Sequence, residues 1–400
     1  MSEPNVPTTV PQRVHNPQLA RQKYGALADR LFDALQRTDP LADAVVEDFA
    51  HLPRAEGWAA FDKALRQGID AVASPPPSLV ALFAAIDRVP AWVDWDRIAR
   101  GGELLFRGGL PGGIVLGAKS LCYGYCAPAG NKPLAFTGQL SGPSVGRRLA
   151  ETGRFVVATC EPGGLSRFAD GFQATIRVRL MHAQVRRLLR HSSRWDHALW
   201  AEPINQHDML ATSLLFSHTF LEGLRQFGFT FTEREADDYV HLWRYSSWLM
   251  GVEDPLLPDR EREAEQMAHA ILDTQGPPDD DSRRLVAALL NSPRATDMNR
   301  GQDKRTERAV AIAHGFCRSL LGDQLADELE LRRDHWRLLI PAVSLVVGSL
   351  EPIRRNVPVA ERVYQELGRR YWAFNLKVTL GKKPARFAPP QGLGGLRPRA

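Results

Sequence analysis

One histidine lies within a strongly apolar helical pattern. In the stretch 175–190, the spacing i, i+4, i+7 and i+11 puts on one face of the predicted helix Val178, His182, Val185 and Leu189. A neutral imidazole among apolar side chains is suited to bind a haem iron, because apolar walls hold the porphyrin. The alternative for His182 is a core histidine whose ring nitrogens are satisfied by other protein groups.

Two arginines flank this histidine on neighbouring faces of the helix. Arg179 lies three residues before His182, and Arg186 lies four residues after it. A guanidinium group pairs well with carboxylates, so both arginines are candidates for contacts with haem propionates. We therefore predict that His182 is an iron ligand and that Arg179 and Arg186 bind the cofactor edge or support its helix.

A second helix, predicted over residues 147–158, carries a face that is both polar and aromatic. The spacing i, i+3, i+4 and i+7 aligns on that face Arg148, Glu151, Thr152 and Phe155. A charge pair and a hydroxyl beside an aromatic ring are what a catalytic pocket could contain. The alternative is a solvated helix face on which Arg148 pairs with Glu151.

The other polar candidates are weaker. His314, in the apolar helical stretch 310–317, is the second choice for an iron ligand. The histidine spacings match no compact zinc motif and no two-histidine, one-carboxylate motif. Asn205, Gln206 and Asp208 precede another apolar helix, where such residues commonly act as helix caps.

The composition is that of a soluble globular protein, with 44% hydrophobic and 24% charged residues among 400. The net charge of +5 is mild and the arginines are scattered, so nucleic-acid binding is not indicated. Four cysteines are too few for a disulfide framework in a chain of this length. The sequence also lacks a CxxCH motif, so any haem would be the non-covalently bound b type.

The sequence gives no expectation of membrane insertion or export. Residues 1–11 show no basic region followed by an apolar stretch, and the most apolar run, 338–350, contains Pro341. That run is shorter than the roughly 20 residues needed to cross a bilayer. We therefore expect a cytoplasmic protein without a membrane span.

The residue pattern is almost wholly helical, and it predicts an all-α protein with one large domain over residues 21–380. Flexible segments are expected over 1–20 and 381–400. A first helix is predicted near 19–37, and a hairpin is the only strand signal, around 227–232. The glycine-rich stretch 101–117 is expected to let helices, or a flat ligand, approach closely.

Four short motifs, taken together, resemble the latex clearing protein family of b-type haem rubber oxygenases and its mycophenolate side-chain-cleaving relatives. The motifs are Arg148-x-x-Glu-Thr152, Arg179-x-x-His182-x-x-x-Arg186, Ile204-Asn-Gln-x-Asp208, and Trp248-x-x-Gly251 followed by Asp254 and Leu257-Pro258. The resemblance covers roughly residues 100–260. The order and spacing of the four motifs, more than any single motif, make the resemblance specific.

The resemblance implies a helical fold with a globin-like core around haem b, with His182 as the proximal iron ligand. It also implies an oxygenase that cleaves isoprenoid double bonds with dioxygen. The rubber-cleaving members carry Arg-x-x-Lys-Thr on the distal helix, whereas this chain has Glu151 in the lysine position. A carboxylate there can accept a proton or, when protonated, donate a hydrogen bond to the oxidant.

The sequence therefore predicts a haem b oxygenase, monomeric or homodimeric, that acts on a small hydrophobic olefin with dioxygen or peroxide. Glu151, Arg148 and Thr152 are the predicted catalytic residues, and Phe155 joins His182, Arg179 and Arg186 as a cofactor-binding residue. Because Glu151 replaces the lysine, polyisoprene itself is expected to be a poor substrate. The alternatives are a peroxidase or peroxygenase on the same scaffold, and a haem sensor or carrier without turnover.

Overall fold

The structure is a computed structural model that describes residues 10–138, 144–292 and 304–380. Within these ranges every regular element is helical and there is no β-strand, as the residue pattern predicts. The α-helices are, in chain order, α1 Pro17–Tyr24, α2 Ala26–Ala34, α3 Pro40–Ala50, α4 Arg54–Gln67, α5 Pro77–Ile86, α6 Trp95–Val115, α7 Cys122–Tyr125, α8 Lys132–Thr137, α9 Ser144–Cys160, α10 Asp170–Arg190, α11 His197–Trp200, α12 Gln206–Phe216, α13 His218–Gln226, α14 Glu233–Leu249, α15 Glu261–Leu272, α16 Asp280–Leu290, α17 Lys304–Leu321, α18 Asp323–Glu328, α19 Leu339–Asn356 and α20 Pro358–Leu380.

Two local predictions differ from the structure. The single helix expected near 19–37 is split into α1 and α2, because Gly25 adopts a positive φ of 56° that ends the first helix. The hairpin expected around 227–232 is absent, because Thr232 is instead the N-cap of α14. It forms a capping box in which its hydroxyl and the Glu235 carboxylate each bond the other residue's backbone N–H.

Helix α6 lies at the centre of the molecule and packs most extensively against α14 and α20. Its glycines allow this approach. A Cβ at Gly101 would lie 2.3 Å from the carbonyl oxygen of Asp238, and one at Gly102 would lie 2.1 Å from that of Cys160. The glycine-rich stretch therefore serves close helix packing, which is the first of the two roles expected for it.

One continuous hydrophobic core joins buried side chains from Leu31 in α2 to Leu376 in α20. The N-terminal segment is attached more firmly than its composition suggests, because Pro11 and Arg13 are buried and α1 starts at Pro17. The flexibility of segment 1–20 stays a prediction, and within residues 10–20 the structure places the start of α1 and the buried Arg13. The tail predicted for 381–400 and residues 1–9 lie outside the described residues.

The C-terminal helices differ from the rest in their exposure. The stretch His335–Asn356 forms 22 helical residues, and an 18-residue window within it has a mean hydropathy of 1.4 and is 11% buried. By length and composition alone it could cross a membrane, although a single such helix is weak support for a span. The sequence analysis judged the apolar run 338–350 too short to cross a bilayer. The helical stretch is longer than that run, because it continues to Asn356.

Candidate active site

A cavity of about 1800 Å³ lies between helices α9, α10, α12 and α14, with α7 and α8 at one side. Small-molecule sites typically measure about 300–1,000 Å³, so this cavity has room for a large flat cofactor and a substrate together. The sequence-predicted residues on its wall are His182 from α10 and, from α9, Arg148, Glu151, Thr152 and Phe155.

His182 is half-buried and borders the cavity. Its Nδ1 is buried without a hydrogen-bond partner among the described residues. Burial, reinforced by the Arg186 cation and opposed by Asp39, lowers the pKa of His182 to about 4. The ring is therefore neutral near pH 7, so it retains a nitrogen lone pair that can bind a metal. This arrangement contradicts the interpretation of His182 as a satisfied core histidine.

The face of α9 that carries Glu151 also borders the cavity and is half-buried to buried. The Glu151 side chain is 14% exposed, and its carboxylate accepts a hydrogen bond from Arg147 Nε at 3.1 Å. The ion pair on this helix thus joins Arg147 and Glu151, whereas the sequence pattern favoured Arg148 as the partner. Both arginines lie about one helical turn from Glu151, Arg147 at spacing i, i+4 and Arg148 at i, i+3, and the hydrogen bond is made by Arg147.

Arg148 is left with an unusual environment. Its Nη1 is buried and has no hydrogen-bond partner among the described residues. Burial lowers the pKa of Arg148, while the neighbouring Glu151 and Tyr125 oppose that shift. A guanidinium remains charged at neutral pH, so this group can receive an anionic oxygen from a ligand in the cavity.

An aromatic wall, formed by Phe155, Phe216 and Trp243, borders the cavity on the side of α12 and α14. The Phe216 and Trp243 rings are stacked with centroids 5.1 Å apart, and Phe155 lies 6.1 Å from Trp243. Phe155 was predicted as a cofactor-binding residue, and it is placed to make such a contact. The other two were missed, because no local pattern shows that three separate helices bring these rings together.

Arg179 and Arg186 do not border the cavity. Arg179 is buried and forms a two-pronged ion pair with Asp39, at 2.7 Å and 2.9 Å. Arg186 is also buried and pairs with Asp43 at 2.6 Å. These contacts contradict the propionate-binding role predicted for the two arginines. They agree with the alternative, in which the arginines fasten α10 and its His182 to α3.

Other motif residues complete this fastening, which we call the α3–α10 clamp and define as Asp39, Asp43, Arg179, Arg186, Gln206 and Gly251. Gln206 donates to the carbonyls of Thr38 and Gly251, at 2.8 Å and 2.9 Å. Gly251 has a φ of 95°, and a Cβ there would lie 2.3 Å from an Asp39 carboxylate oxygen. The motifs around His182 therefore build the support of the site more than its lining.

The remaining candidates have structural partners. Asn205 caps α12 as expected, accepting the N–H of Asp208. Asp208 borders the cavity, but both its oxygens accept from Arg13, at 2.8 Å and 2.6 Å. Burial alone would raise the pKa of Asp208, yet Arg13 holds it below its usual value. His314 accepts the N–H of Arg332 and lies away from the cavity.

The donor set distinguishes between kinds of metal centre. Among residues 10–138, 144–292 and 304–380, no three His, Cys, Asp or Glu side chains are grouped so that they could hold a metal ion. Protein-bound zinc or non-haem iron needs about three such ligands. One histidine is sufficient for an iron whose other ligands come from a porphyrin. His182 and the cavity therefore fit haem better than a bare ion.

Comparison with known proteins agrees with these observations. Residues 95–347 match the model of the family described as ER-bound oxygenase mpaB/B'/Rubber oxygenase, catalytic domain. The rubber oxygenase of Streptomyces sp. (strain K30) is 22% identical over 345 residues, which cover 80% of this chain and 81% of that protein. The solved structure of latex clearing protein LCP in the closed state superposes with a TM-score of 0.67 at 21% identity, covering 85% of this chain and 91% of that one. The chain therefore belongs to the mpaB/rubber oxygenase catalytic-domain family of oxygenases.

Proposed function

We propose that this protein is a haem b-dependent oxygenase in which His182 binds the iron. The observation that carries the proposal is a neutral imidazole without a hydrogen-bond partner, on the wall of a large cavity with an aromatic side. When bound, haem would supply the dioxygen chemistry that side chains lack. Phe155 and its aromatic neighbours would pack against the cofactor or the substrate.

The substrate that we propose is a small hydrophobic olefin of the isoprenoid type. The curated relative is named a rubber oxygenase, which supports an unsaturated hydrocarbon as the group attacked. The aromatic wall offers apolar contacts to such a chain. We propose that the protein acts in the cytoplasm, as expected from the sequence.

The polar residues of the cavity would handle protons and position charged groups. Glu151 can hold a proton at a carboxylate oxygen, with Arg147 stabilising the ionised form. Arg148 can bind an anionic oxygen, such as a haem propionate or a carboxylate of the substrate. Thr152, one residue from Glu151, presents a hydroxyl to the same cavity.

Glu151 also favours a second candidate, a peroxidase or peroxygenase on the same scaffold. A carboxylate at the cavity wall is a natural acid–base group for peroxide chemistry. A sensor or carrier without turnover would need neither Glu151 nor an unpaired Arg148.

The test begins with an absorption spectrum of the purified protein, in which a Soret band and a b-type pyridine haemochrome are expected. The protein is then incubated with a farnesyl-type olefin in air, without oxygen, and without oxygen but with hydrogen peroxide. Carbonyl products that require air support the oxygenase, whereas products that require peroxide support the peroxygenase. Haem without turnover in any arm would indicate a sensor or carrier, and absence of haem would refute the proposal.

A further inference from the structure

The last two helices expose an apolar surface that the proposed reaction does not use. Along α20 the exposed apolar residues follow one face at helical spacing, and they are Val359, Val363, Leu367, Phe374 and Val378. On α19 the corresponding residues are Leu345, Val346, Leu350 and Ile353. Leu345 is 79% exposed and Phe374 is 67% exposed. Large apolar patches of this kind mark sites of interaction on soluble proteins.

The opposite side of the same helices is fixed to the body of the protein. Arg354 is buried and pairs with Glu351 at 2.8 Å within α19 and with Glu361 of α20 at 2.5 Å. Glu361 also pairs with Arg107 of α6 at 2.9 Å. Drawing α19 into a bilayer as a span would break the Arg354–Glu361 pair and place the Glu351–Arg354 pair in hydrocarbon, which is strongly unfavourable. The apolar surface is therefore held outward on helices that stay docked.

The charge of the chain is concentrated in the same region. Residues 337–380 contain seven lysines and arginines and three acidic residues, a net charge of +4, and the sequence that follows, 381–400, adds five basic residues and no acidic one. The whole chain carries +5, so residues 1–336 carry a net −4. Basic and exposed apolar side chains thus occur together, and the rest of the protein is mildly acidic.

We propose that the exposed face of α19 and α20 binds the surface of an anionic lipid bilayer, with both helices lying in the plane of the interface. Apolar side chains would enter the acyl boundary, while lysines and arginines would meet the lipid head groups. A second copy of this chain is a poorer occupant, because two surfaces that are both positively charged, with +4 over residues 337–380, would repel each other. The proposal is independent of the reaction at His182.

The test is flotation of the purified full-length protein with vesicles. Two compositions are compared, phosphatidylcholine alone and phosphatidylcholine with about one-third phosphatidylserine. Binding is expected to the second and to weaken as salt is raised, because salt screens the charge attraction. Failure to bind the phosphatidylserine vesicles at low salt would refute the proposal.

The double variant Leu345→Glu with Phe374→Glu tests the surface itself. It should bind the anionic vesicles at least about tenfold more weakly, since two exposed apolar side chains that would enter the bilayer are replaced by charges. The matched control is Leu19→Glu with Val80→Glu, which adds the same charge at sites 60% and 40% exposed on α1 and α5. The control should bind as the wild type does.

Two further outcomes count against the proposal. One is a double variant that binds the vesicles like the control. The other is a wild-type protein that is dimeric by light scattering and does not bind vesicles, while the Leu345→Glu, Phe374→Glu variant is monomeric. That result would assign the surface to a second copy of the chain. Circular dichroism and thermal melting should show that both double variants are folded.

Discussion

At the scale of single residues, the site combines groups that lack protein partners with groups that have them. His182 and Arg148 each have a buried nitrogen without a hydrogen-bond partner among the described residues, and both border the cavity. An unpartnered buried polar group normally costs about 1–3 kcal/mol, so its presence at a cavity suggests a ligand that satisfies it. Glu151, by contrast, is paired with Arg147 and can exchange a proton without leaving a buried charge unpaired.

The first prediction concerns the iron ligand. His182→Ala should abolish or strongly reduce haem content, because the other described histidine with a buried unpartnered nitrogen on the cavity wall, His218, lies 3.8 Å from the Glu261 carboxylate. His314→Ala is the control and should leave haem content unchanged, since His314 accepts a backbone N–H elsewhere. Haem content is measured by the pyridine haemochrome relative to protein. Equal loading in the two variants would contradict the assignment.

The second prediction concerns proton handling at the cavity. Glu151→Gln should lower turnover more than about tenfold with haem content nearly unchanged, because the amide cannot exchange the proton. Glu161→Gln makes the same chemical change just after α9, where Glu161 pairs with Arg369, and should keep wild-type turnover. Glu151→Lys should shift the Soret band if the amine reaches the iron. Wild-type rates and spectra in both Glu151 variants would exclude a catalytic role.

At the scale of elements, α10 is positioned by helices and loops distant in sequence. The Arg179–Asp39 pair joins residues 140 positions apart and lies against Gly251. Buried ion pairs contribute little net stability, but removing one partner is strongly destabilising. The α3–α10 clamp thus holds the orientation of the helix that carries His182. Loss of the clamp should therefore lower the haem content.

The third prediction therefore concerns Gly251. Gly251→Ala should destabilise the protein by about 1–3 kcal/mol, because the residue has a positive φ and the new methyl group would meet Asp39. Haem content should fall as well, since α10 would shift. Gly117→Ala is the control, because a Cβ there meets nothing within 4 Å. Thermal melting and haemochrome assays report the two effects, and a Gly251→Ala protein that matches this control would show that the clamp tolerates a side chain.

At the scale of the whole molecule, buried neutral histidines make the fold sensitive to acid. Burial lowers the pKa of His207 and of His241 to about 4. His241 Nε2 accepts the N–H of Asp94, a bond that protonation would remove. The unfolded chain takes up protons near pH 6.5, whereas the folded chain resists them until about pH 4.

The fourth prediction is that the contribution of these histidines to the free energy of unfolding is fully present above pH 6.5 and is lost as the pH falls toward 4. Each histidine contributes to the loss, which should exceed about 2 kcal/mol in total. Urea denaturation at a series of pH values measures it. His207→Gln should flatten the profile between these values, and a profile that stays as steep in this variant would show that other groups cause the acid sensitivity.

The fifth prediction concerns substrate preference. Polyisoprene latex should be cleaved poorly compared with small terpenoid or phenylpropenoid olefins, because the Glu151–Arg147 ion pair makes part of the cavity wall unfavourable for a long hydrocarbon chain. Product formation from both substrates is compared by chromatography with the same enzyme preparation. Efficient cleavage of latex would show that the carboxylate does not restrict the substrate.

The sequence by itself determined the local features of this protein. Helical periodicity depends on residues within a few turns, so the all-α class, the helices α9 and α10, and the shared face of Glu151 and Phe155 follow from residue spacing. The family also follows from the sequence, because its short motifs consist of residues close together in the chain.

Only the tertiary structure decided which groups meet. Arg179 pairs with Asp39, and Arg186 pairs with Asp43, because α3 packs on α10. This contact joins residues some 140 positions apart, and no local pattern contains it. The pair of Arg13 and Asp208 likewise joins residues far apart in the chain, 195 positions from each other. The aromatic wall forms where three helices converge. An arginine on a helix face looks the same in sequence whether its partner is a cofactor or a distant carboxylate, and packing alone distinguishes the two.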